Sequence, residues 1–295
     1  MNWKQVKRNR QHYLLLLPFF LLFTVFTVLP VLISIVVSFT NFNMLQWPQF
    51  VGWDNYVRLF LHDDVFIMAL RNTLLFAVLT GPLSYVMCFV FAWIINEFSP
   101  KIRALLMVVF YAPSISGNVF FIWRYIFSGD RYGMANAILM NFALIPQEIN
   151  WFRDSAYIMP ILIVVQLWLS LGTGFLAFMA GLQTVDKTLY EAGSVDGVRN
   201  RWQELWFITL PSMKPQLMFG AVIQITTSFA VADISIQLAG FPSINNAGAT
   251  IVTHLIDFGF IRFEMGYASA IATLLFIIMI GTNRAVQRIL KKVGT

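Results

Sequence analysis

Polar side chains recur at helical spacing inside two long apolar stretches of this chain. Thr226, Asp233 and Gln237 follow i, i+7 and i+11, and a second set follows i, i+4 and i+7, namely Gln166, Ser170 and Thr173. Each set is expected to occupy one face of a helix. If these stretches cross a bilayer, an isolated carboxylate there costs about 2.5–3.5 kcal/mol, so Asp233 should face protein or water rather than lipid.

The chemistry open to these two polar faces is hydrogen bonding to a hydroxyl-rich solute. Such a solute needs paired donors and acceptors, together with aromatic surfaces for the apolar face of a ring, for which Tyr111 and Trp168 are nearby candidates. The other interpretation is that these groups hydrogen-bond between helices, as small polar residues in membrane helices commonly do. The sequence leaves both roles open.

Residues that could catalyse a reaction or ligate a metal are sparse. Cys88 is the single cysteine and lies in an apolar run, and nothing resembles HExxH around the histidines, which fall in separate segments at His12, His62 and His254. The chain contains no GxxxxGK[ST] phosphate loop and no GxSxG. An aspartyl pair would need a second acid beside Asp233, whereas Glu97 lies at the edge of an apolar run. An intramembrane enzyme therefore lacks convergent chemistry.

The richest polar stretch carries seven charges between Lys187 and Lys214. Asp186 is placed to cap a helix that begins at Lys187, and Gly197 suits its end. Asn200 with Gln203 predicts a second capped helix, closed by Pro211, whose apolar face would be Trp202, Leu205, Trp206 and Thr209. We expect these indoles to rest against neighbouring helices while Glu191 and Asp196 face the solvent.

The composition indicates how these segments are positioned. Apolar residues make up 58% of the 295 residues and charged residues only 12%, about half the usual share for a soluble domain. An apolar run of roughly 20 residues can cross the bilayer. Six such runs predict an all-α polytopic membrane protein with six transmembrane helices, at about 13 to 39, 70 to 96, 103 to 127, 157 to 183, 215 to 238 and 266 to 285.

The basic residues distinguish the two sides of the membrane. Fourteen of the twenty lysines and arginines lie on the side of the termini, including Lys4, Lys7, Arg8 and Lys292. By the positive-inside rule, both termini and the 184–214 loop are cytoplasmic. The positive net charge of +6 thus reflects topology and not nucleic-acid binding. Three longer segments, at 40–69, 129–156 and 239–265, are then external and suit interfacial anchoring or docking.

The two predicted helices of the 184–214 loop form a hairpin, and this hairpin resembles a known sequence motif. The order Glu-Ala-X, Asp-Gly and Ile-X-Leu-Pro is similar to the EAA loop of permease subunits in binding-protein-dependent ABC importers, and its matching residues are Glu191, Ala192, Asp196, Gly197, Ile208, Leu210 and Pro211. Gly193 replaces the usual second alanine, which would loosen the helix slightly. Ten residues rather than nine separate Gly197 from Ile208, which predicts a shifted turn. Further stretches such as "FVGWDNYVRLF" and "MGYASAIATLLF" resemble sugar permeases of the maltose and glycerol-3-phosphate type.

The resemblance implies a type I ABC importer permease fold in a bacterial cytoplasmic membrane. Residues 1–12 would be a cytoplasmic segment and 13–295 the transmembrane domain, whose 184–214 loop docks into an ATPase subunit. The implied partners are a second homologous permease, two ATPase subunits that bind ATP and magnesium, an extracytoplasmic binding protein, a carbohydrate and membrane lipid. This chain itself would need no cofactor. An ion-coupled secondary transporter is an alternative, weakened by the lack of several intramembrane charges.

Overall fold

The computed structural model describes residues 10–117 and 119–291, so the predicted cytoplasmic residues Lys4, Lys7, Arg8 and Lys292 lie outside it. Helices dominate this part of the chain. In order they are α1 (Arg10–Phe23, continued by the π-turn Thr24–Val28 and by Leu29–Val37), α2 (Asp54–Leu61), α3 (Asp64–Asn96), α4 (Pro100–Ile115), α5 (Val119–Ile126), α6 (Met134–Asn141), α7 (Ser155–Leu169), α8 (Thr173–Thr184), α9 (Lys187–Val195), α10 (Arg201–Glu204, continued by the π-turn Leu205–Thr209 and by Leu210–Ser212), α11 (Lys214–Phe229), α12 (Ile251–Ile256, continued by the π-turn Asp257–Ile261) and α13 (Met265–Leu290).

The predicted membrane spans correspond to the long helices. Within the described residues, four helices are long and apolar enough to cross a membrane, namely Tyr13–Val37, Asp64–Asn96, Ser155–Thr184 and Met265–Leu290. The third predicted span is the pair α4 and α5, bent by 85°. The fifth, predicted at 215–238, is covered only as far as Phe229 by the 16-residue helix α11. The all-α polytopic architecture is therefore confirmed, while the number of six crossings stays a prediction.

The chain divides into two compact units. The first contains the described residues up to Asp63 together with Leu255–Leu274. Within it, the buried Asn55 amide donates to the carbonyls of Ser38 and Thr40, both at 2.8 Å, which holds α2 against the end of α1. Arg58 pairs with Glu264 at 2.5 Å, and its guanidinium lies 4.2 Å from the ring centre of Tyr267.

The second unit contains Asp64–His254 and the described residues from Leu275 onward. An apolar core of this unit brings α3, α8 and α11 together around Phe89, Phe175 and Phe178. Gly220 on α11 lies at a close contact with α8, because a Cβ on this residue would overlap the Phe178 ring. Small residues let membrane helices approach closely, since lipid supplies no hydrophobic drive for their association. This packing fixes the elements that carry both candidate sites.

Candidate functional site

The polar hairpin forms where the sequence predicts it. The Asp186 carboxylate accepts from the Thr188 backbone N–H at 3.0 Å and so caps α9. This hydrogen bond lowers the pKa of the Asp186 carboxyl, because it favours the charged form. The helix ends with Gly197 at φ +94°, a left-handed conformation that favours glycine, and the Val198 N–H returns to the Gly193 carbonyl at 2.9 Å. The two ends of α9, the first arm of the hairpin, are thus both set by residues within or next to this helix.

The second arm absorbs the extra residue of the loop. Asn200 accepts from the Gln203 N–H at 2.9 Å, and α10 then passes through the π-turn Leu205–Thr209, in which the Leu210 N–H bonds to the Leu205 carbonyl. A π-turn holds one more residue than an α-turn. The predicted shifted turn takes this form, and it lies directly before Pro211. The helix does not close at Pro211 as expected but continues to Ser212.

The two arms contact each other at Gly193. This glycine is buried, and a Cβ built on it would lie 2.6 Å from the Ile208 Cδ1 atom. The departure from alanine therefore marks a close contact between the arms, where the sequence suggested only a looser helix. Nearby, the hydroxyls of Tyr190 and Thr209 share a hydrogen bond of 3.0 Å. These contacts hold α9 and α10 as one unit.

The expected contact of the indoles with neighbouring helices is found for Trp202, but both rings are largely exposed. Trp202 and Trp206 remain 65% and 60% exposed, whereas Leu205 and Thr209 are buried at 6% and 2%. The wide turn changes the rotation per residue within α10, so a face counted at 3.6 residues per turn does not match the buried one. Trp202 still contacts Trp93, with ring centres 5.4 Å apart.

An ion-pair cluster fastens the hairpin to the end of α3. Arg201 pairs with Glu97 at 2.7 Å and with Glu204 at 2.8 Å. The hydrogen bond that Arg201 donates to the Glu204 carboxylate raises the pKa of the Arg201 guanidinium. The outer surface of α9 stays open, because Glu191, Ala192 and Asp196 are exposed and Val195 is 87% exposed. The hairpin therefore presents an exposed face of mixed polarity on an anchored base.

The predicted polar faces meet at two adjoining cavities in the second unit. The larger, of about 920 Å³, is lined by four of the predicted residues, namely Gln166, Thr226, Asp233 and Gln237. The smaller, of about 220 Å³, is lined by Tyr111, Gln166, Ser170 and Thr173. Gln166 lines both cavities, so the seven predicted residues surround one connected polar region. Trp168 lines neither and packs against Trp123, with ring centres 5.4 Å apart.

The geometry behind this arrangement differs from the expected one. Thr226, Asp233 and Gln237 were expected on a continuous helix, but α11 ends at Phe229 and the backbone is non-helical at 230–232 before a further turn begins. The break leaves Asp233 exposed in the cavity wall, where its side chain makes no ion pair with another described residue. Irregular backbone at membrane depth is tolerated where it lines a cavity.

The sequence reasoning missed several polar groups in this region, among them Arg124, Thr227 and Gln224. Arg124 lines the larger cavity together with Asp233 and carries the opposite charge. Thr227 lines both cavities. A charged residue within the apolar run 103–127 was itself a signal, because such residues usually face the interior of a bundle. Gln224 lines the smaller cavity and also joins α11 to α3, since Ser84 Oγ donates to its carbonyl oxygen at 3.1 Å. At Gln224, lining of the cavity and hydrogen bonding between helices therefore occur together.

Metal binding has no structural counterpart in the part of the chain that is described. No group of three histidine, cysteine or carboxylate side chains converges there. Cys88 is buried within the core of the second unit. The arrangement can hydrogen-bond a polar solute and can receive a partner protein on the hairpin.

Comparisons with known proteins agree with this geometry. Residues 89–294 match the family described as "Binding-protein-dependent transport system inner membrane component". The chain is 32% identical to the probable ABC transporter permease protein YesP of Bacillus subtilis, covering 92% of this chain and 88% of that protein. It is also 32% identical to the arabinooligosaccharides transport system permease protein AraP of Bacillus subtilis, covering 95% and 88% respectively.

A solved structure shares the fold over the whole length. It is the bacterial alginate ABC transporter in complex with an alginate pentasaccharide-bound periplasmic protein, and one of its chains superposes with a TM-score of 0.75. The two sequences are 26% identical, and the match covers 99% of each chain.

Proposed function

Because this chain belongs to the family of binding-protein-dependent transport system inner membrane components, we propose that it forms, with a second permease, the translocation pathway of an ABC importer for a carbohydrate. It is a multi-pass inner membrane permease. Its relatives are transport permeases and not enzymes, which supports a non-enzymatic role.

The connected polar region carries the proposal of a sugar pathway. Side chains of α4, α7, α8 and α11 and of the segment that follows α11 converge there. They offer amide, hydroxyl, carboxylate and phenol groups to a hydroxyl-rich solute. AraP is named for arabinooligosaccharides, and the alginate transporter was solved with an alginate pentasaccharide on its periplasmic protein. These names support an oligosaccharide as the substrate class. Specificity is expected to reside largely in the binding protein.

The hairpin is the proposed contact for a separate ATPase. The chain has no phosphate loop, so ATP and magnesium would be bound by two partner subunits and not by this chain. The exposed face of α9 with Glu191 would enter a cleft of the ATPase. Closure of the nucleotide-bound ATPase pair would carry the hairpin along and reorient the helices around the pathway. The Gly193 contact would pass this motion from α9 to α10.

The remaining assignments follow from charge and from the family. The concentration of basic residues on the side of the termini supports a cytoplasmic location for both termini and for the 184–214 loop. An extracytoplasmic binding protein would then deliver the carbohydrate on the opposite side. Residues 13–295 would form the transmembrane domain of this subunit.

Purification of the native complex in mild detergent tests this function. We expect an ATPase with a phosphate loop and a second permease to co-purify, and the reconstituted assembly to import an oligosaccharide only with ATP and binding protein. Uptake driven by an ion gradient without an ATPase would favour a secondary transporter. A lone chain with hydrolytic activity would favour an intramembrane enzyme, and either result would refute the proposal.

A further inference from the structure

A second polar cavity lies beneath the hairpin, apart from the proposed sugar pathway. It has a volume of about 430 Å³ and is lined by residues from α3, α4, α8, α9 and α10. Three cationic side chains and two carboxylates line it, which leaves a net charge of +1. The cavity lies where the apolar helix α3 ends, beside the paired indoles of Trp93 and Trp202. Tryptophan is enriched at this level of the membrane.

The cations of this cavity are unequally neutralised. Arg201 is paired with both carboxylates of the cavity, Glu97 and Glu204. Arg103 instead donates through Nη2 to the carbonyls of Asn96 and Phe98, at 2.8 and 3.1 Å, which are uncharged acceptors. Arg103 therefore keeps an uncompensated positive charge in a partly buried position.

Two buried polar atoms at this cavity lack hydrogen-bond partners within the described chain. They are the Arg103 Nε, a donor, and the Asn96 Oδ1, an acceptor. Leaving such a group unsatisfied destabilises the fold, and more so when the group is charged, so a partner is expected to occupy the space. The required partner offers an anionic acceptor to Arg103 and a donor to Asn96. A phosphate ester that carries hydroxyl groups meets both demands.

We propose that this cavity binds the phosphate group of a hydroxyl-bearing phosphate ester, held by Arg103 and Lys187 and oriented by Asn96. Lys187 lines the cavity and makes no ion pair with the described residues, so its ammonium is available as a second cation. Basic pockets between membrane helices bind anionic lipid headgroups by the same chemistry. The phosphate can belong to a glycerol-type phospholipid or to a soluble phosphate.

Occupancy of this cavity would stiffen the base of the hairpin. Lys187 is the first residue of α9, and Arg103 belongs to the first turn of α4, so one phosphate would bridge two elements. The Arg201 ion pairs already join α10 to the end of α3 beside it. Bound phosphate would thus link the surface that receives the ATPase to the membrane helices.

Thermal unfolding of the detergent-purified assembly tests the proposal in two separate titrations. The first adds phosphatidylglycerol in mixed micelles, with phosphatidylcholine as its control, and the second adds inorganic phosphate. We expect an upward shift of the melting temperature, with a half-saturating concentration about tenfold higher for Arg103→Gln. Lys101→Gln is the matched control, because it removes one positive charge from the same helical turn but lies outside the cavity. It should change the half-saturating concentration less than about twofold.

The two titrations also identify the source of the phosphate. An Arg103-dependent shift with phosphatidylglycerol alone supports a lipid, and the same dependence with inorganic phosphate supports a soluble ligand. Since Arg103 also holds two backbone carbonyls, Arg103→Gln can fail to fold. Lys187→Gln then decides, because Lys187 is exposed and carries no such bond. Equal shifts of the melting temperature for wild type, Lys187→Gln and Lys101→Gln in both titrations would overturn the proposal, independently of whether the importer function holds.

Discussion

The contact between Gly193 and Ile208 yields a prediction that can be worked out from distances. In Gly193→Ala, the new Cβ would lie 2.6 Å from Ile208 Cδ1 and 3.5 Å from Val198 Cγ2. Carbon atoms pack best at about 3.5–4.0 Å, so only the Cδ1 contact is a clash. Since Cδ1 is the far end of a flexible side chain, relieving this contact is inexpensive. The overpacking cost therefore falls near the low end of about 1–3 kcal/mol, against a gain of about 1 kcal/mol from replacing a helical glycine by alanine. The two terms nearly cancel, so Gly193→Ala alone should leave the free energy of unfolding almost unchanged.

Ile208→Val removes the clashing atom and provides the second half of a double-mutant cycle. The nearest remaining carbons would then be Val198 Cγ2 at 3.5 Å and the former Ile208 Cγ1 at 3.7 Å, both ordinary contacts. In that background, Gly193→Ala should stabilise the protein by about 1 kcal/mol. The two substitutions are therefore coupled by at least about 1 kcal/mol.

The assay is chemical unfolding of the purified chain in mixed micelles, with all four members of the cycle measured side by side. Substrate-stimulated ATP hydrolysis of the reconstituted importer should follow the same order, because the contact joins the two arms of the hairpin. The reasoning is refuted if Gly193→Ala stabilises the protein equally in both backgrounds, with effects additive to within about 0.5 kcal/mol.

Three further outcomes are expected. Glu191→Ala should lower substrate-stimulated ATP hydrolysis about tenfold without unfolding the protein, whereas Glu148→Ala, an exposed carboxylate in the predicted external segment, should not. Asp233→Asn should raise the KM of uptake while leaving assembly intact, and unchanged uptake kinetics would return Asp233 to a structural role. Since the folded-state pKa of Asp186 is lowered, its stabilisation of α9 is present above the unfolded pKa and lost as pH falls through the lower folded value. Hydrogen exchange at the Thr188 amide should therefore lose protection below about pH 4, and Asp186→Asn should abolish that dependence.

The features that the sequence predicts well are those decided within a few residues. The caps at Asp186 and Asn200 need only the chain two or three positions on, and Gly197 needs only its own backbone freedom. The grouping of polar residues at i, i+4 and i+7 on α7 and α8 likewise survives in the cavity walls, despite the turn at 170–172 between the two helices.

The features that escaped prediction depend on packing between distant segments. Trp206 is exposed within a π-turn that no local sequence pattern predicts. The break at 230–232 lies in an apolar run that is equally compatible with a continuous helix. Gly193 has a meaning only once Ile208, fifteen positions later, has been placed against it. Arg124 carried a readable signal, because a cation inside an apolar run needs an interior environment.

The wide turn at Leu205–Thr209 makes this part of the chain tolerant of length variation. Deleting one residue there would restore ordinary α geometry while Leu210–Ser212 still lead into Lys214 in the same rotational phase. Deleting Ala192 instead would turn Glu191 by about 100° around its axis relative to Gly193. Relatives of different loop length can therefore present the same exposed face of α9 to a partner protein, provided that the additional residue lies in α10 and not in α9.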